Sequence, residues 1–182
     1  MKPIFLIGYM GSGKSTLGRS LSRRMNCDFI DLDAYIENRY HKSIKEIFAE
    51  RGEAGFRDIE HRLLLEVCDF QNIVIACGGG TPCYGDNMDV MNSHGVAVYL
   101  SVPIERLYSR LSRPRSKAKR PVIASKTDEE LMEFIAENLR QRDPYYSRAN
   151  LKFDTSNIET AAETEVTAAA LEAEIRRFLE IN

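Results

Sequence analysis

The sequence predicts an α/β fold, a three-layer sandwich whose five-stranded parallel sheet carries helices on both faces. Short apolar runs alternate with longer amphipathic segments along the chain, which is typical of consecutive βαβ units. A glycine-rich motif lies between the first apolar run and the first amphipathic segment, in the strand–loop–helix order that such a motif requires. The candidate strands are Ile4–Ile7, Phe29–Ile30, Ile73–Ala76, Val96–Leu100 and Leu151–Phe153.

Each candidate strand is bounded by Gly, Asp, Asn or Pro, which favour turns. The first run stops at Gly8, too early for the apolar region of a signal peptide, so we interpret it as a buried strand. About forty residues between the second and third strands contain helices but no convincing strand, which leaves room for a substrate-binding subregion near residues 33–62. The candidate helices are Lys14–Met25, Ala34–Tyr40, Ile44–Arg51, Glu53–Cys68, Ile104–Leu111, Asp128–Tyr145 and Ala161–Leu179.

The composition is that of one globular domain spanning residues 1–182, with 43% hydrophobic and 29% charged residues. A net charge of -2 provides no field that would attract nucleic acid or an acidic membrane, and no apolar run reaches the length of a membrane span. We therefore expect a small-molecule partner, with neither nucleic acid nor membrane involved. The cysteines lack zinc-ligand spacing and are expected to be free thiols in a reducing cytoplasm: Cys27, Cys68, Cys77 and Cys83.

The strongest motif is Gly8–Ser15, which matches the phosphate-loop pattern GxxxxGK[ST]. Its glycines let consecutive backbone N–H groups face an anion, and the helix that follows adds its positive N-terminal end. Lys14 can reach the β- and γ-phosphates of ATP, and Ser15 can supply a hydroxyl to Mg²⁺. The alternative is an ordinary glycine-rich turn. The residues expected to bind ATP here are Gly11, Ser12, Gly13, Lys14, Ser15 and Thr16.

A phosphate loop does not by itself choose between a kinase, an ATPase and a GTPase. A guanine-specific GTPase would also need NKxD-like and DxxG elements. Residues 125–128 imitate the first, but the sequence contains no DxxG. We interpret this tetrapeptide as a helix entrance capped by Thr127 or Asp128.

Two carboxylates, Asp31 and Asp33, follow the second strand. They point the same way if the chain stays extended, and they lie at the strand end where open α/β sheets bind ligands. One can serve the metal shell while the other orients or deprotonates an attacking hydroxyl. The alternative is helix capping before Ala34, which can hold for Asp33 at the same time.

Two weaker features come downstream. Arg57 lies on a helix introduced by two glycines, and the third strand ends in Gly78-Gly79-Gly80. Glycines without Cβ atoms allow a ligand to approach the backbone closely. Taken alone, Arg57 could equally be a solvated arginine and the glycines a tight turn.

Taken together, GSGKST, DLD, GxxxFR, a strand ending GGG, KRP and RDPYY, in this order, make residues 4–158 similar to shikimate kinases. The resemblance implies a P-loop kinase fold and phosphoryl transfer from Mg·ATP to the 3-hydroxyl of shikimate. It further implies that Asp33 meets the acceptor hydroxyls and that Asp31 contacts the metal through water. The implied substrate-binding residues are Asp33, Arg57, Gly79, Gly80 and Arg142.

The basic segment Ser112–Lys119 has no apolar periodicity, so we expect a mobile surface loop. By resemblance it belongs to a lid near residues 112–124, in which Arg120 approaches the transferring phosphoryl group and Arg113 stacks on adenine. The turn at residues 156–158 should lie against the same base. The alternative is a solvated basic loop. Cys77 and Tyr145 depart from the family pattern near the acceptor.

Two rival functions stay open. Another P-loop kinase, acting on gluconate or a nucleoside monophosphate, would share the phosphate loop but should lack the set of Asp33, Arg57, Gly79 and Arg142. A nucleotide-binding module without catalysis would need the loop alone, whereas this chain also has acceptor groups and a lid. We expect a cytoplasmic monomer that uses ATP and Mg²⁺.

Overall fold

The computed structural model of the protein describes residues 1–181, and its central element is one five-stranded sheet. All strand pairs are parallel, in the order β2-β3-β1-β4-β5. The predicted fold class is therefore confirmed, and each predicted strand agrees with the observed one to within a residue at either end. The strands are β1 Ile4–Ile7, β2 Asp28–Asp31, β3 Ile73–Ala76, β4 Val96–Ser101 and β5 Leu151–Asp154.

Helices cover both faces of the sheet. Alternate residues of β1 divide between two apolar clusters: Ile4 and Leu6 cluster with residues of α1 and α9 (ranges below), while Phe5 and Ile7 cluster with residues of α2, α3, α4, α5, α7 and α8. None of the helices within residues 1–181 is long and apolar enough to cross a membrane. The helices are α1 Lys14–Met25, α2 Leu32–Tyr40, α3 Ile44–Cys68, α4 Asn87–His94, α5 Ile104–Leu111, α6 Pro114–Ala118, α7 Pro121–Ala124, α8 Asp128–Tyr146 and α9 Ala161–Ile181.

Capping explains several helix boundaries. Ser43 starts α3 and Thr127 starts α8, each forming a capping box with the glutamate three residues on. Thr127 was one of the two caps expected. The two helices predicted around Gly52 are one helical segment kinked at that glycine, whose φ of 68° and ψ of −177° are non-helical.

The expectation that residues 31–33 stay extended is wrong. Asp31 ends β2 and accepts a hydrogen bond from the backbone N–H of Ala34 at 3.5 Å, so it caps α2. Asp33 consequently lies in the first helical turn rather than at the cap. The two carboxylates are brought to one site by the strand-to-helix transition and not by strand alternation.

Two regions contain helices that the sequence did not indicate. The basic segment expected to be a loop forms α6, and Pro121 begins α7; each helix has proline at its first position, where proline is favourable. The side chain of Ile123 in α7 is fully buried, which fixes the end of the segment to the domain. The other unexpected helix, α4, has eight residues, of which Met88, Val90 and Met91 are buried and apolar, too few to show a helical period in the sequence.

Candidate active site

The loop after β1 is shaped by its glycines and by Lys14. Gly8, Gly11 and Gly13 have φ values of 141°, 84° and 91°, which side-chain-bearing residues rarely adopt. Lys14 Nζ donates to the carbonyl oxygens of Gly8 at 2.8 Å and Tyr9 at 2.9 Å. The loop thus curls around its own lysine, in the form of a phosphate cradle that opens onto the N-terminus of α1.

The segment that follows β5 closes over this loop. Thr155 Oγ1 donates to the carbonyl oxygen of Ser12 at 3.0 Å. A Cβ at Gly13 would overlap the side chain of Ile158, so the loop and the predicted base-binding turn are in direct contact. Substitution of Gly13 would therefore disturb both parts of a nucleotide site.

A cavity of about 610 Å³ extends from the loop to the lid. Of the residues predicted to bind ATP, only Ser12 is absent from its lining, because its side chain is buried beneath the loop. Asp33 also lines this cavity, close to the glycine run, since a Cβ at Gly78 would lie 3.1 Å from its Oδ1. The predicted site residues in the lining are Gly11, Gly13, Lys14, Ser15, Thr16, Asp31, Asp33, Gly79, Arg113 and Arg120.

Ser15 and Asp31 form the pair that suits a metal ion. Ser15 Oγ donates to Asp31 Oδ2 at 2.6 Å, across the start of α1 and the end of β2. Both groups offer oxygen atoms, which Mg²⁺ prefers. Within residues 1–181 no group of three or more His, Cys, Asp or Glu side chains could hold a metal ion. These two oxygens therefore suit a metal that takes its other ligands from ATP and water.

Lys14 and Asp33 have shifted pKa values, and each is influenced by the charge of the other. Burial raises the pKa of Asp33 to about 6, aided by the negative charges of Glu60 and Asp31 and opposed by Lys14 and Arg57. Burial lowers the pKa of Lys14 to about 8, and Asp33 is the main charge that opposes this shift. At neutral pH the lysine stays mainly cationic and the carboxylate mainly ionised, a pair suited to phosphoryl transfer.

A second cavity, of about 470 Å³, lies beside α3 and α8. It holds two arginines, Arg57 from α3 and Arg142 from α8, together with Gly80 and the half-buried thiol of Cys83. A Cβ at Gly80 would collide with the Arg57 guanidinium, and one at Gly79 would lie 3.2 Å from Arg142 Nη1. The glycine run therefore makes room for both guanidinium groups, and its consecutive residues line the two cavities, Gly79 the first and Gly80 the second.

Glu60 is a site residue that the sequence did not indicate. Its side chain is only 1% exposed, and Oε2 accepts from Arg57 Nη1 at 2.6 Å. This ion pair leaves Arg57 with further N–H groups for a ligand, because a guanidinium has five. The spacing from Arg57 to Glu60 is one helical turn, but many solvated pairs share this spacing, so it carries no functional signal.

Arg110 is the second residue that was missed. Its guanidinium donates to the carbonyl oxygens of Gly11 at 3.1 Å, Thr155 at 2.9 Å and Ser156 at 2.9 Å, and to Glu159 at 2.8 Å. It thus links the phosphate loop to the segment after β5. A general expectation that the last turn of a helix favours cations was the only available signal.

The lid side chains lie at the opposite wall of the nucleotide cavity. Arg120 donates to the backbone oxygen of Ser116 at 3.0 Å and to its hydroxyl at 2.7 Å. Arg113, which is 57% exposed, forms an ion pair with Glu159 at 2.6 Å. Both arginines line the cavity as expected, although each is paired within the protein.

Cys77 lies beside the glycine run but is buried, and burial raises the pKa of its thiol well above the usual range. Its neighbour is Met91, with the two sulfur atoms 3.8 Å apart. A thiol held protonated in this way is a poor nucleophile, so Cys77 packs as an inert buried residue.

A phosphate loop at the carboxyl edge of a parallel sheet, next to a separate arginine-lined cavity, defines a P-loop phosphotransferase of the small-molecule kinase class. The family model for shikimate kinase matches residues 10–175. The chain therefore belongs to the shikimate kinase family, whose reaction class is phosphoryl transfer from ATP to an alcohol.

Individual relatives agree over nearly the whole chain. A shikimate kinase from Parabacteroides distasonis is 47% identical over 94% of this chain and 98% of its own. The crystal structure of shikimate kinase from Bacteroides thetaiotaomicron superposes with a TM-score of 0.91 at 44% identity, covering 96% of this chain and 98% of that one. Shikimate kinase from Acinetobacter baumannii, solved in complex with shikimate, gives a TM-score of 0.79 at 29% identity, covering 97% and 94%.

Proposed function

We propose that this chain transfers the γ-phosphoryl group of Mg·ATP to the 3-hydroxyl of shikimate, giving ADP and shikimate 3-phosphate. The observation that carries the proposal is that two cavities lie on consecutive glycines: Gly79 lines the one with the phosphate loop and Asp33, and Gly80 lines the one with Arg57 and Arg142. A donor in the first and an acceptor in the second would have their reacting groups close to these glycines.

The chemistry of the second cavity suits a carboxylate. Arg57 and Arg142 each present a planar fork that can hold a carboxylate through two parallel hydrogen bonds. Cys83 and Gly80 line the same cavity. Shikimate offers one carboxylate for the arginines and hydroxyl groups for Asp33, whereas gluconate lacks a rigid ring and a nucleoside monophosphate lacks a carboxylate.

In the proposed reaction the acceptor oxygen forms a bond to the γ-phosphorus as the bond to the β,γ-bridging oxygen breaks. Asp33 accepts a hydrogen bond from the hydroxyl and takes up its proton as the new bond forms. A pKa of about 6 keeps Asp33 ionised at neutral pH, as this role requires. Lys14 supplies positive charge to the phosphate oxygens, and alignment of the two substrates can supply about 7–11 kcal/mol of the barrier.

Ser15 and Asp31 would hold Mg²⁺, Asp31 through water. When bound, the ion neutralises charge on the β- and γ-phosphate oxygens. Arg120, which reaches the same cavity from the lid, would add a cation at the transferring group. Ordering of residues 112–124 over the cavity would exclude water that could hydrolyse ATP. Arg113 would contact the adenine.

An ADP-release assay with separate acceptors tests the proposal. We expect turnover with shikimate and at most background release with gluconate or nucleoside monophosphates. Failure to observe shikimate-dependent release would reject it. Removal of Mg²⁺ by EDTA should abolish turnover, and activity that survives the chelator would reject the assigned metal site.

We further propose that the chain acts as a cytoplasmic monomer. The support is that all four cysteines are free thiols, which agrees with a reducing compartment, and that both cavities are formed within one chain. Light scattering at assay concentration would test the monomer, and a mass of two chains would contradict it.

A further inference from the structure

A line of buried hydrogen bonds runs from the surface of α3 to Arg57. Its middle members, Thr81 and Asn87, are both 0% exposed. Thr81 Oγ1 donates to Glu60 Oε1 at 2.5 Å, and Asn87 Nδ2 donates to the backbone oxygen of Thr81 at 2.7 Å. At the outer end, Nδ1 of His61 lies 2.6 Å from Asn87 Oδ1. At the inner end, Glu60 holds Arg57.

These contacts permit one arrangement of protons. Because the Asn87 amide group donates to a carbonyl, its oxygen faces His61, whose Nδ1 must carry a hydrogen. The single proton of the Thr81 hydroxyl goes to Glu60. Each carboxylate oxygen of Glu60 then has its own donor, one from Thr81 and one from Arg57, so the carboxylate is fixed in rotation.

Loss of the Thr81 hydroxyl would free Glu60 to turn. A buried carboxylate oxygen without a donor is costly, and the nearest remaining donor is the Arg57 guanidinium. We would expect both carboxylate oxygens of Glu60 to accept hydrogen bonds from the Arg57 guanidinium and to draw it away from the cavity. The tight geometry around the glycine run leaves little room for compensation, since a Cβ at Gly78 would lie 3.0 Å from Thr81 Oγ1 and 3.1 Å from Glu60 Oε1.

We propose that Thr81 and Asn87 are positioning residues for the acceptor. They hold Glu60, and Glu60 holds Arg57 in the orientation that receives a carboxylate. The inference rests on the proposed function, because it takes Arg57 as the carboxylate-binding group. Neither residue lines the acceptor cavity, so their effect on affinity is indirect.

The test compares Thr81→Val, which removes the hydroxyl at nearly constant volume, with Thr81→Ser, which retains it. We expect Thr81→Val to raise the KM for shikimate about tenfold, the size of one hydrogen bond to a charged group. The KM for ATP should change by less than about twofold, because Thr81 does not touch the nucleotide cavity. Thr81→Ser should keep the shikimate KM within about threefold of the wild-type value.

Thr164→Val is the matched control. Thr164 is also buried and donates its hydroxyl to a backbone oxygen, that of Thr160 at 2.8 Å, but it lies on α9 at the other face of the sheet. Both kinetic constants should stay near the wild-type values in this variant. Thermal denaturation of each variant with and without shikimate separates a loss of folding from a loss of binding.

A double-mutant cycle with Glu60→Gln identifies the route. If Thr81 acts through Glu60, Thr81→Val should add less than about twofold to the shikimate KM in the Glu60→Gln background. If the effects of the two substitutions on the shikimate KM were fully additive, the inference would be overturned. It would also be overturned if Thr81→Val raised the KM for shikimate and the KM for ATP equally, or if Thr81→Ser raised the shikimate KM as much as Thr81→Val. If Thr81→Val does not fold, Thr81→Ala, which also removes the hydroxyl, is measured in its place with the same expected results. If the wild-type protein turns over shikimate and Thr81→Val leaves the shikimate KM unchanged, the inference is rejected and the proposed function stands. If the wild-type protein does not turn over shikimate, the proposed function itself is rejected.

Discussion

Replacement of Asp33 by Asn should make the protein more stable and nearly inactive. The pKa of Asp33 is raised from 3.8 to about 6, chiefly by burial, so the ionised carboxylate is less favourable in the folded state than in the unfolded chain. This difference of about two pKa units corresponds to about 3 kcal/mol of unfolding free energy that the ionised carboxylate costs the wild-type protein. Asn has nearly the same shape and does not carry this cost.

The sign of the pH dependence follows from proton binding. Between about pH 4 and pH 6 the folded protein binds more protons at Asp33 than the unfolded chain, so wild-type stability falls as the pH rises through this window. Above pH 6 the loss of unfolding free energy caused by the ionised carboxylate no longer changes with pH. The stabilisation by Asp33→Asn should therefore be about 3 kcal/mol at pH 8 and about half of that at pH 5.

Urea denaturation at both pH values, with the linear extrapolation of unfolding free energy, measures this difference. The exposed carboxylate Asp28 supplies the control, since Asp28→Asn should leave stability almost unchanged at both. In parallel, turnover of Asp33→Asn on shikimate should fall at least about a hundredfold while ATP affinity is retained. An Asn variant that is less stable at pH 8 would refute the account of burial as the dominant effect, and unchanged turnover would refute the catalytic role.

Three further outcomes are expected. The kcat/KM for shikimate should fall below about pH 6 as Asp33 becomes protonated; a flat profile down to pH 5 would exclude it as the titrating group. Arg57→Ala should raise the shikimate KM by about tenfold or more with the ATP KM nearly unchanged, and equal weakening of both would mean that Arg57 is misassigned. Arg110→Ala should raise the KM for ATP and lower the melting temperature together, because it unties the phosphate loop from Thr155 and Ser156; a lower melting temperature with unchanged nucleotide KM would limit Arg110 to a structural role.

The parts of the site that the sequence predicted well are those held in short stretches of chain. The phosphate loop is specified by glycines within six residues of one another, and its φ values follow from those glycines. Lys14 and Ser15 are placed by the same turn. The position of Asp33 after the second strand made it a candidate from the residues alone, whereas the substrate-binding roles of Arg57, Gly79 and Arg142 came from resemblance to a family.

The failures have local causes too. The extended form expected for residues 31–33 gave way to helix initiation at Leu32, because Asp31 could cap it. The basic lid segment was taken for a loop because charge obscured two short helices that begin with proline. Helix α4 has no clear signal in the sequence because its eight residues span about two turns, too short for an apolar period to repeat.

By itself the sequence determined the alternation of strands and helices, the phosphate loop and the reaction class. The first two depend on propensities and backbone angles, which act over a few residues, whereas the reaction class came from the ordered set of motifs that resembles a family. Tertiary structure alone decided which polar groups meet: that Thr81 holds Glu60, that Arg110 ties Gly11 to the segment after β5, and that Asp33 loses enough solvent to shift its pKa. Burial and ion pairing depend on distances between residues far apart in the chain, and local patterns do not encode these distances.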